Sequence, residues 1–362
     1  MKKLLVIDTT WPINSRTSRF VTTLSKTHSV VVTAWNRGDK IADSNIPDGY
    51  SILQTNIGYG NKLKKLFSLL FFIKHICKHI KKEQPDLVFA SHWDSLLCAV
   101  LIKKLTREKF KIIYDCLDLP TATNKLILAL VRRIENICTK SVDLTVIASR
   151  YYKPFYEKVN SIVFENYPSK EFFQQEDNSQ LKVGYATPIS TKTISWIGVV
   201  RYYNILENLL LAIKDTEVHL LVFGDGPDLP RLKSLVKSLG LEHRVIFNGR
   251  YKLEELPAIY SASNLIWAAY PTKDFNAVYA ISNKYFECSL FKKRPIFSKN
   301  TMMVRQSLKG NTDIIAVDEY DIDDIREKVL SALERNIEIE RYEPIVYWED
   351  KEDFFSNKIN DL

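Results

Sequence analysis

A lysine and a glutamate three residues apart occur in ISNKYFECSLFKKRPIF, residues 281–297, where a helix is predicted to lead into a strand. These residues, Lys284 and Glu287, directly follow Ser282 and Asn283. Ser282 or Asn283 is predicted to cap the helix, because short polar side chains accept hydrogen bonds from the first backbone N–H groups. The free N–H groups and the positive dipole end of such a helix favour an anion such as a diphosphate.

Glu287 is predicted to lie one turn into this helix. Its carboxylate can accept two hydrogen bonds from the vicinal hydroxyls of a ribose. A single helix start would then contact both the sugar and the charge of a nucleotide. The alternative interpretation is an ordinary glutamate on a surface helix.

Other candidates follow predicted strands of the same half of the chain. Arg201 comes after ISWIGVV and is predicted to point toward the diphosphate, where its bonds would strengthen as the leaving group gains charge. Gly224 and Gly226 in VFGDGPDL permit unusual backbone conformations between a strand and a helix. A pair of glycines at this spacing is equally typical of a simple turn.

The first half of the chain has its own polar strand ends. Asp115 and Asp118 in YDCLDLP follow a predicted strand, as do His92 and Asp94 in SHWDS. Asp118 is the best-placed carboxylate for a general base if the chemistry inverts a configuration and a hydroxyl must lose its proton, whereas a retaining reaction needs no such base. Asp115 is as well suited to capping the next segment, and the other two side chains also have structural interpretations.

Charge is distributed unevenly between the two halves of the chain. Residues 1–170 carry 27 Lys and Arg against 14 Asp and Glu, whereas the remaining residues carry 24 against 29. A basic half favours an anionic partner. No nucleic-acid motif is present, so an anionic membrane surface is the preferred partner. Arg16 and Arg19 at the start of the first helix could meet an anionic acceptor or simply be solvated.

Residues 61–82, NKLKKLFSLLFFIKHICKHIKK, form a predicted helix with seven lysines and no acidic residue. The apolar stripe expected to face the core consists of Leu63, Leu66, Leu70, Ile73, Cys77 and Ile80. Phe67, Phe71 and Phe72 lie partly beside that stripe. Such a helix either rests in a membrane interface or packs as an ordinary domain helix with lysines toward water.

Short β-branched runs alternate with helical patterns along the whole chain, which indicates parallel sheets built of βαβ units. Thirteen strands are predicted, seven before a polar, aperiodic segment and six after it. The five cysteines are widely spaced and form no CxxC pair, which fits a reducing cytoplasm. The basic start MKKLLVIDTT is interpreted as a first strand and not as a signal peptide.

The second half of the chain resembles the nucleotide-sugar domain of GT-B glycosyltransferases, in particular glycosyltransferase group 1, the family four type. The motifs that carry the resemblance are, in order, ISWIGVVRYY, LLVFGDGPDL, VIFNGRY and SNKYFE. The stretches PDLVFASHWDS, YDCLDLP and VFENYPS resemble the acceptor-side domain. The resemblance implies an α/β fold of two tandem Rossmann-like domains with a deep interdomain cleft. The expected divisions are an acceptor domain at 1–170, a linker at 171–189, a donor domain at 190–343 and a returning C-terminal helix at 344–362.

The resemblance also assigns roles to individual residues. Glu287 would contact the ribose, and Gly198 precedes the arginine position, which is displaced here to Arg201. The base would lie against FNGRY, with Arg250 nearby, and Asn276 and Asp274 are polar neighbours of the transferred sugar. The sequence departs from the family at Tyr279, where a glutamate is frequent, and at Leu117, where a histidine is frequent.

These observations predict an enzyme that transfers a hexose from a nucleotide-sugar donor to a hydroxyl of a glycan acceptor, lipid-linked, in bacterial-type surface polysaccharide assembly. Neither a metal nor a separate cofactor is expected, since cationic side chains and helix ends can neutralise the diphosphate. The predicted location is the cytoplasm, at the inner face of the plasma membrane. Two alternatives are a non-catalytic GT-B subunit that binds a partner glycosyltransferase or glycan, and a nucleotide-sugar epimerase.

Overall fold

The computed structural model describes residues 1–58, 62–122, 124–170, 185, 192–307, 313–335 and 339–362. It divides the chain into two compact units. Unit 1 comprises Met1–Glu165 with Lys351–Leu362, and unit 2 comprises Asn166–Asp350. The predicted linker, 171–189, lies outside the described residues except for Tyr185.

Unit 1 is built on a parallel sheet of seven strands in the order β3-β2-β1-β4-β5-β6-β7. The strands are β1 Lys3–Asp8, β2 Ser29–Asn36, β3 Tyr50–Gln54, β4 Leu87–Ser91, β5 Lys111–Cys116, β6 Leu144–Ile147 and β7 Ser161–Val163. The connecting helices are α1 Ser15–Ser25, α2 Lys62–Glu83, α3 His92–Thr106 and α4 Lys125–Thr139. A 3-10 helix, Arg150–Phe155, which contains Pro154, lies between β6 and β7.

Unit 2 is a second parallel sheet, of six strands in the order β10-β9-β8-β11-β12-β13. The strands are β8 Thr193–Ile197, β9 His219–Phe223, β10 Val245–Gly249, β11 Leu265–Trp267, β12 Arg294–Ser298 and β13 Ile315–Val317. The helices are α5 Tyr203–Ile213, α6 Leu229–Ser238, α7 Leu256–Ser261, α8 Phe275–Tyr279, α9 Asn283–Leu290, α10 Met302–Ser307 and α11 Ile322–Glu334.

All thirteen predicted strands are present, and the two α/β units confirm the predicted Rossmann-like fold class. The central strands are covered on both faces, which explains why they are nearly continuous apolar runs. In β1, for example, every residue after Lys3 is buried. Parallel strands also bring all their carboxyl ends to one edge of each sheet, which is where ligands bind in this architecture.

The structure corrects the expectation for Arg16. Its guanidinium is buried and forms an ion pair with Asp115 at 3.0 Å, while also donating to the carbonyl of Phe164 at 2.7 Å. The Arg16 guanidinium also lies 4.8 Å from the ring centroid of Phe20. Arg16 and Asp115 therefore join α1 to the end of β5, and neither is a solvated or acceptor-facing residue.

The predicted helix at 61–82 is present as α2, but of the described residues in the expected core stripe only Ile80 is buried. The buried apolar side chains of α2 are Leu69, Phe72, Ile76 and Ile80. Leu70 of the predicted stripe is 69% exposed, and Ile73 and Cys77 are only partly buried. The side chains of Leu63 and Leu66 lie outside the described part of the helix. No helix in the described ranges is long and apolar enough to cross a membrane.

The C-terminal helix α12, Glu349–Asn360, contributes a buried aromatic ring to unit 1. The ring of Phe355 is fully buried and lies 4.6 Å from that of Phe20 and 5.2 Å from that of Phe164. Glu352 accepts hydrogen bonds from the side chains of Thr23 and Lys26 in α1 and its cap. The helix is therefore part of the core on the α1 side of the sheet.

We expect Phe355→Ala to destabilise unit 1 by about 3–5 kcal/mol, the usual cost of removing a buried phenyl ring from a packed core. Hydrogen exchange of the amides of unit 1, recorded at increasing denaturant concentration, measures the change in its free energy of unfolding. The matched control is Phe354→Ala, because the neighbouring ring is 46% exposed. Equal stability of the two variants would contradict the packing role of α12.

Candidate functional site

Three loops meet at the carboxyl edge of the unit 2 sheet. The backbone N–H of Gly198 donates to the carbonyl of Phe223 at 2.9 Å, and that of Val200 donates to Asp225 at 2.9 Å. The N–H of Gly224 donates to the carbonyl of Gly249 at 2.6 Å. The loops after β8, β9 and β10 therefore form one hydrogen-bonded surface.

Glycine is required where two of these loops touch. A Cβ atom on Gly224 would lie 1.8 Å from the carbonyl oxygen of Gly198, and one on Gly226 would lie 2.3 Å from that of Val200. Gly224 also has a φ of +142°, in the region that side chains disfavour. The pair therefore has a packing function in this structure: it lets the loop after β9 lie directly against the loop after β8.

A groove of about 540 Å³ opens on this surface. Its lining includes the predicted residues Gly198, Gly224 and Arg250, together with Asp225 and Tyr251. Arg250 pairs with Asp225 at 3.0 Å at the exposed rim. The backbone N–H of Gly226 and the Arg250 guanidinium lower the pKa of Asp225. The structure thus brings three predicted donor residues together around one concave surface.

The start of α9 has the predicted cap. Ser282 is the N-cap residue, and its hydroxyl accepts from the backbone N–H of Lys284 at 3.2 Å. Asn283 is the first helical residue and is exposed. The Ser282 hydroxyl also lies 3.3 Å from that of Tyr270, at the end of the loop after β11. The cap therefore links α9 to a neighbouring loop at the same edge.

Lys284 and Glu287 form a mostly buried ion pair in the first turns of α9. The ammonium of Lys284 lies 2.5 Å from Oε2 of Glu287, and the hydroxyl of Tyr260 donates to the same oxygen at 2.6 Å. Burial alone would lower the pKa of Lys284, but the attraction of Glu287 and further partners raises it above its ordinary value. The ammonium in this structure is therefore directed to Glu287, and not toward a position outside the helix start.

Glu287 retains capacity for a ligand. Its side chain is 13% exposed, and within the described ranges Oε1 makes no hydrogen bond. A carboxylate has about four lone-pair directions, so this oxygen can still accept two donors. The arrangement is compatible with the predicted ribose contact, which stays a prediction.

Arg201 is exposed after the end of β8. Its guanidinium carbon lies 4.8 Å from the ring centroid of Tyr202, a residue with a φ of +67° at the start of α5. The first N–H of α5, that of Tyr203, donates to the carboxylate of Asp228 at 2.9 Å. The start of α5 is therefore already capped by an acid, and the Arg201 guanidinium is exposed beside it.

The loop before α9 has a clear structural arrangement. Asp274 is the N-cap of α8 and accepts from the N–H of Asn276 at 3.0 Å. Thr272 is held by the buried carboxylate of Glu319, which accepts its backbone N–H at 2.8 Å. The ring of Tyr279 packs against that of Phe275 at a tilt of 42°, with ring centroids 4.8 Å apart. Asn276 is half-buried, so its contact with a transferred sugar stays a prediction.

At the carboxyl edge of the unit 1 sheet, the candidate acids separate into buried and accessible residues. Asp118 is exposed beyond β5, whereas Asp94 is buried and accepts from the hydroxyl of Thr9 at 2.9 Å. His92 is partly exposed at the start of α3 and has a φ of +66°. Asp118 and His92 are therefore the accessible members of this group.

Three important partners were not predicted from the sequence. Tyr260 shares Glu287 with Lys284, Asp225 pairs with Arg250, and Asp228 caps α5. Asp225 lies between Gly224 and Gly226, so the glycine motif itself marks it as a candidate residue of the site. Nothing in the sequence marks Tyr260, which is 27 residues from Glu287.

Comparison with known families gives a match over unit 2. Residues 185–346 match the family model described as glycosyl transferases group 1. Unit 2 is therefore similar to the group 1 glycosyltransferases over most of its length. This family match agrees with the resemblance inferred from the sequence motifs of the same region.

One curated relative of this chain is the N-acetyl-alpha-D-glucosaminyl L-malate synthase of Bacillus anthracis. It is 25% identical over 193 residues, which cover 50% of this chain and 49% of that protein. The matched region thus spans about half the length of the relative.

Solved structures similar over the whole length show the same fold. HepE of Anabaena, in complex with UDP and glucose, has a TM-score of 0.74 at 12% identity and covers 100% of both chains. The sucrose-phosphate synthase of Thermosynechococcus elongatus has a TM-score of 0.69 at 14% identity and covers 99% of both chains. At these identities the likeness establishes the fold alone.

We expect Lys284→Ala to destabilise unit 2 by about 3–5 kcal/mol, because it leaves the Glu287 carboxylate without its ionic partner in a mostly buried position. Denaturation of the purified variant measures this cost. Lys237→Ala is the control, since that lysine is exposed on α6, and surface changes stay within about 0.5 kcal/mol. Unchanged stability of Lys284→Ala would show that the pair does not hold α9.

Proposed function

We propose that the protein is a hexosyltransferase that transfers a sugar from a nucleoside-diphosphate sugar to a hydroxyl of a glycan acceptor. The observation that carries the proposal is the start of α9, where the capped helix end and Glu287 lie at the carboxyl edge of unit 2. A helix start favours an anionic group, and a carboxylate with a free oxygen accepts hydroxyl donors. A nucleoside diphosphate presents both.

Each donor residue has a role in this proposal. Glu287 accepts the ribose hydroxyls, and the backbone N–H groups of Ser282 and Asn283 bind the diphosphate, while that of Lys284 donates to the Ser282 hydroxyl and keeps the helix start in place. The groove beside Gly198, Gly224 and Arg250 receives the base, and Asn276 contacts the sugar. UDP is the first nucleotide to test, because HepE is described in complex with UDP and glucose.

Arg201 is proposed to act in the transfer step. Its exposed guanidinium can bond the diphosphate most strongly when the glycosidic bond breaks and negative charge accumulates on the leaving oxygen. Together with the helix start, this cation would neutralise the leaving group without a metal ion. The chemistry is a displacement at the anomeric carbon, in which the acceptor oxygen forms the new bond and the acceptor loses a proton.

Asp118 is the proposed base for that proton if the reaction inverts the anomeric configuration. Its carboxylate is exposed at the carboxyl edge of unit 1, whereas Asp115 is buried against Arg16. A retaining mechanism requires no such base. Substitution of Asp118 therefore also tests which stereochemical course the enzyme follows.

The proposed acceptor is a lipid-linked glycan used in surface polysaccharide assembly at the cytoplasmic face of the plasma membrane. The support is the basic charge of residues 1–170 and the outer face of α2. Phe67 is 73% exposed on that face, and Phe71 is 66% exposed, with Lys74 exposed beside them. Basic helices with apolar side chains of this kind lie in the headgroup region of anionic membranes.

Two other functions make different predictions. A non-catalytic subunit would bind a partner or glycan without turning over any donor, a hypothesis that the departures at Tyr279 and Leu117 motivate. A nucleotide-sugar epimerase would convert the donor in the absence of any acceptor. Release of nucleoside diphosphate that requires a glycan acceptor identifies the transferase. Chromatography of the nucleotide sugar after incubation without an acceptor distinguishes the epimerase, which changes the sugar, from the non-catalytic subunit, which leaves it intact.

We expect Glu287→Ala to weaken UDP binding by about 1.5–3 kcal/mol, because hydrogen bonds from the ribose to a charged acceptor are lost. Isothermal titration calorimetry measures the change, at a temperature where the variant remains folded. Glu254→Ala is the control, as Glu254 is exposed near Tyr251 but outside the groove lining. Equal affinities for wild type and Glu287→Ala would remove the ribose assignment.

Asp118→Asn is expected to reduce transfer at least about 100-fold while donor affinity stays unchanged, since it removes the acceptor base and leaves unit 2 intact. Steady-state kinetics with a soluble glycan acceptor, together with donor titration, separates the two effects. Near-normal transfer by this variant would assign Asp118 a structural role and favour retention.

A further inference from the structure

Helix α4 exposes an apolar stripe that no part of the proposed function uses. Leu126 is 81% exposed, Leu130 57% and Ile137 49%, and these positions align along one side of a helix. Ile127, 53% exposed, lies beside them. Four large aliphatic side chains on one 15-residue helix form a patch, unlike the single exposed apolar residues that are ordinary on protein surfaces.

The exposed charged residues of α4 are basic, and its acidic residue is buried. Lys125 and Arg133 are exposed, and Arg133 falls within the apolar stripe. The helix contains one acid, Glu135, which is buried and accepts from the hydroxyls of Tyr114 at 2.5 Å and Tyr156 at 2.6 Å. The outward face of α4 is therefore apolar and basic.

Helix α2 presents the same combination. Phe67, Leu70 and Phe71 are between 66% and 73% exposed, while Lys64 and Lys74 are exposed beside them. The opposite side of α2 holds the buried residues that pack on the sheet. The two helices thus resemble each other in the chemistry of their outer faces.

Both helices lie on the same side of unit 1. The crossovers that contain α2, α3 and α4 all run toward β7 in the strand order, and right-handed crossovers in one direction place their helices on one face of a sheet. Helix α3 packs against both α2 and α4. Their apolar and basic faces therefore flank α3 on a common surface.

Most of the exposed apolar side chains of α2 and α4 lie at one end of that surface, with Ile137 near the opposite end of α4 as the exception. Each helix begins after the carboxyl end of a strand and returns to the amino edge, so its first half is nearer the carboxyl edge. Phe67–Phe71 lie about 8–14 Å along α2 from its start, and Leu126–Leu130 lie within about 8 Å of the start of α4, at 1.5 Å per residue. This is the edge that holds Asp118 and His92.

We propose that α4 is a second membrane-contacting helix and that α2 and α4 together place the carboxyl edge of unit 1 against an anionic bilayer. The proposal rests on the proposed function, because that edge would receive the lipid-linked acceptor. An anionic lipid surface complements both faces, whereas a second copy of this chain would bring like charges together. The acceptor hydroxyl is then taken at the level of the lipid headgroups.

The first experiment measures vesicle binding by the full chain. The vesicles contain equal parts of phosphatidylglycerol and phosphatidylcholine. We expect Leu126→Ser/Leu130→Ser to bind them about tenfold more weakly than wild type, because the variant lacks two apolar side chains that would insert into the bilayer. The control is Leu105→Ser, which is 77% exposed at the far end of α3. Equal binding by all three proteins, or none by wild type, overturns the proposal.

The second experiment tests the orientation. An environment-sensitive dye is attached at Leu130→Cys or at Leu105→Cys in a Cys77→Ser background, because the other four cysteines are buried. We expect the emission to shift to the blue with vesicles only for the dye at position 130. Equal shifts at both positions would overturn the orientation. Vesicle-independent self-association that is lost in Leu126→Ser/Leu130→Ser would assign the stripe to a second copy instead.

These measurements are separate from the test of enzymatic function. Vesicle binding and dye emission require no turnover, so a lack of transferase activity would overturn the proposed function without changing either result. Conversely, a fully active enzyme that ignores vesicles would retain its function and lose the membrane proposal. The α4 variant is expected to keep wild-type transfer to a soluble acceptor, since the substituted residues lie outside the proposed donor residues.

Discussion

The mostly buried ion pair between Lys284 and Glu287 is the interaction on which the candidate site of unit 2 depends. Removing two charges from water is costly, and the cost is offset only when the partners meet with good geometry and further hydrogen bonds. Tyr260 supplies one such bond from α7. The pair therefore fixes Glu287 in position at the start of α9 and leaves Oε1 as the oxygen available to a ligand.

The surface beside this pair is made mainly of backbone. Gly224 and Gly226 allow the loop after β9 to touch the loop after β8, and hydrogen bonds join both to the loop after β10. Any side chain at either position would separate the loops. The groove is therefore formed by close packing of backbone segments, whereas the start of α9 is held by a mostly buried ion pair.

The two units use the same architecture in different ways. Both sheets are parallel, so both collect their strand ends at one edge. In unit 1 the polar groups there are largely engaged internally, as Arg16 with Asp115 and Thr9 with Asp94 show. The accessible acid is Asp118, and the exposed apolar and basic side chains of α2 and α4 occur near the same edge.

Much of the fold was predictable because buried parallel strands appear as β-branched runs between polar turns. The sequence also predicts helix α2, but not which of its faces packs on the sheet. Apolar residues surround most of the circumference of this helix, so their periodicity alone does not select one side. The Ser282 cap was predictable from local chemistry. The pairings of Arg16 with Asp115 and of Tyr260 with Glu287 were not, because they join residues 99 and 27 positions apart.

The central claim is that a nucleoside diphosphate binds at the start of α9 and the adjoining groove of unit 2. Hydrogen exchange of the full chain with and without saturating UDP tests it most directly, since ligand contacts slow the exchange of the amides they order. The account predicts slower exchange in residues 282–290, 224–226 and 249–251. No protection by UDP or by a panel of other nucleoside diphosphates, or protection confined to other segments, would contradict it.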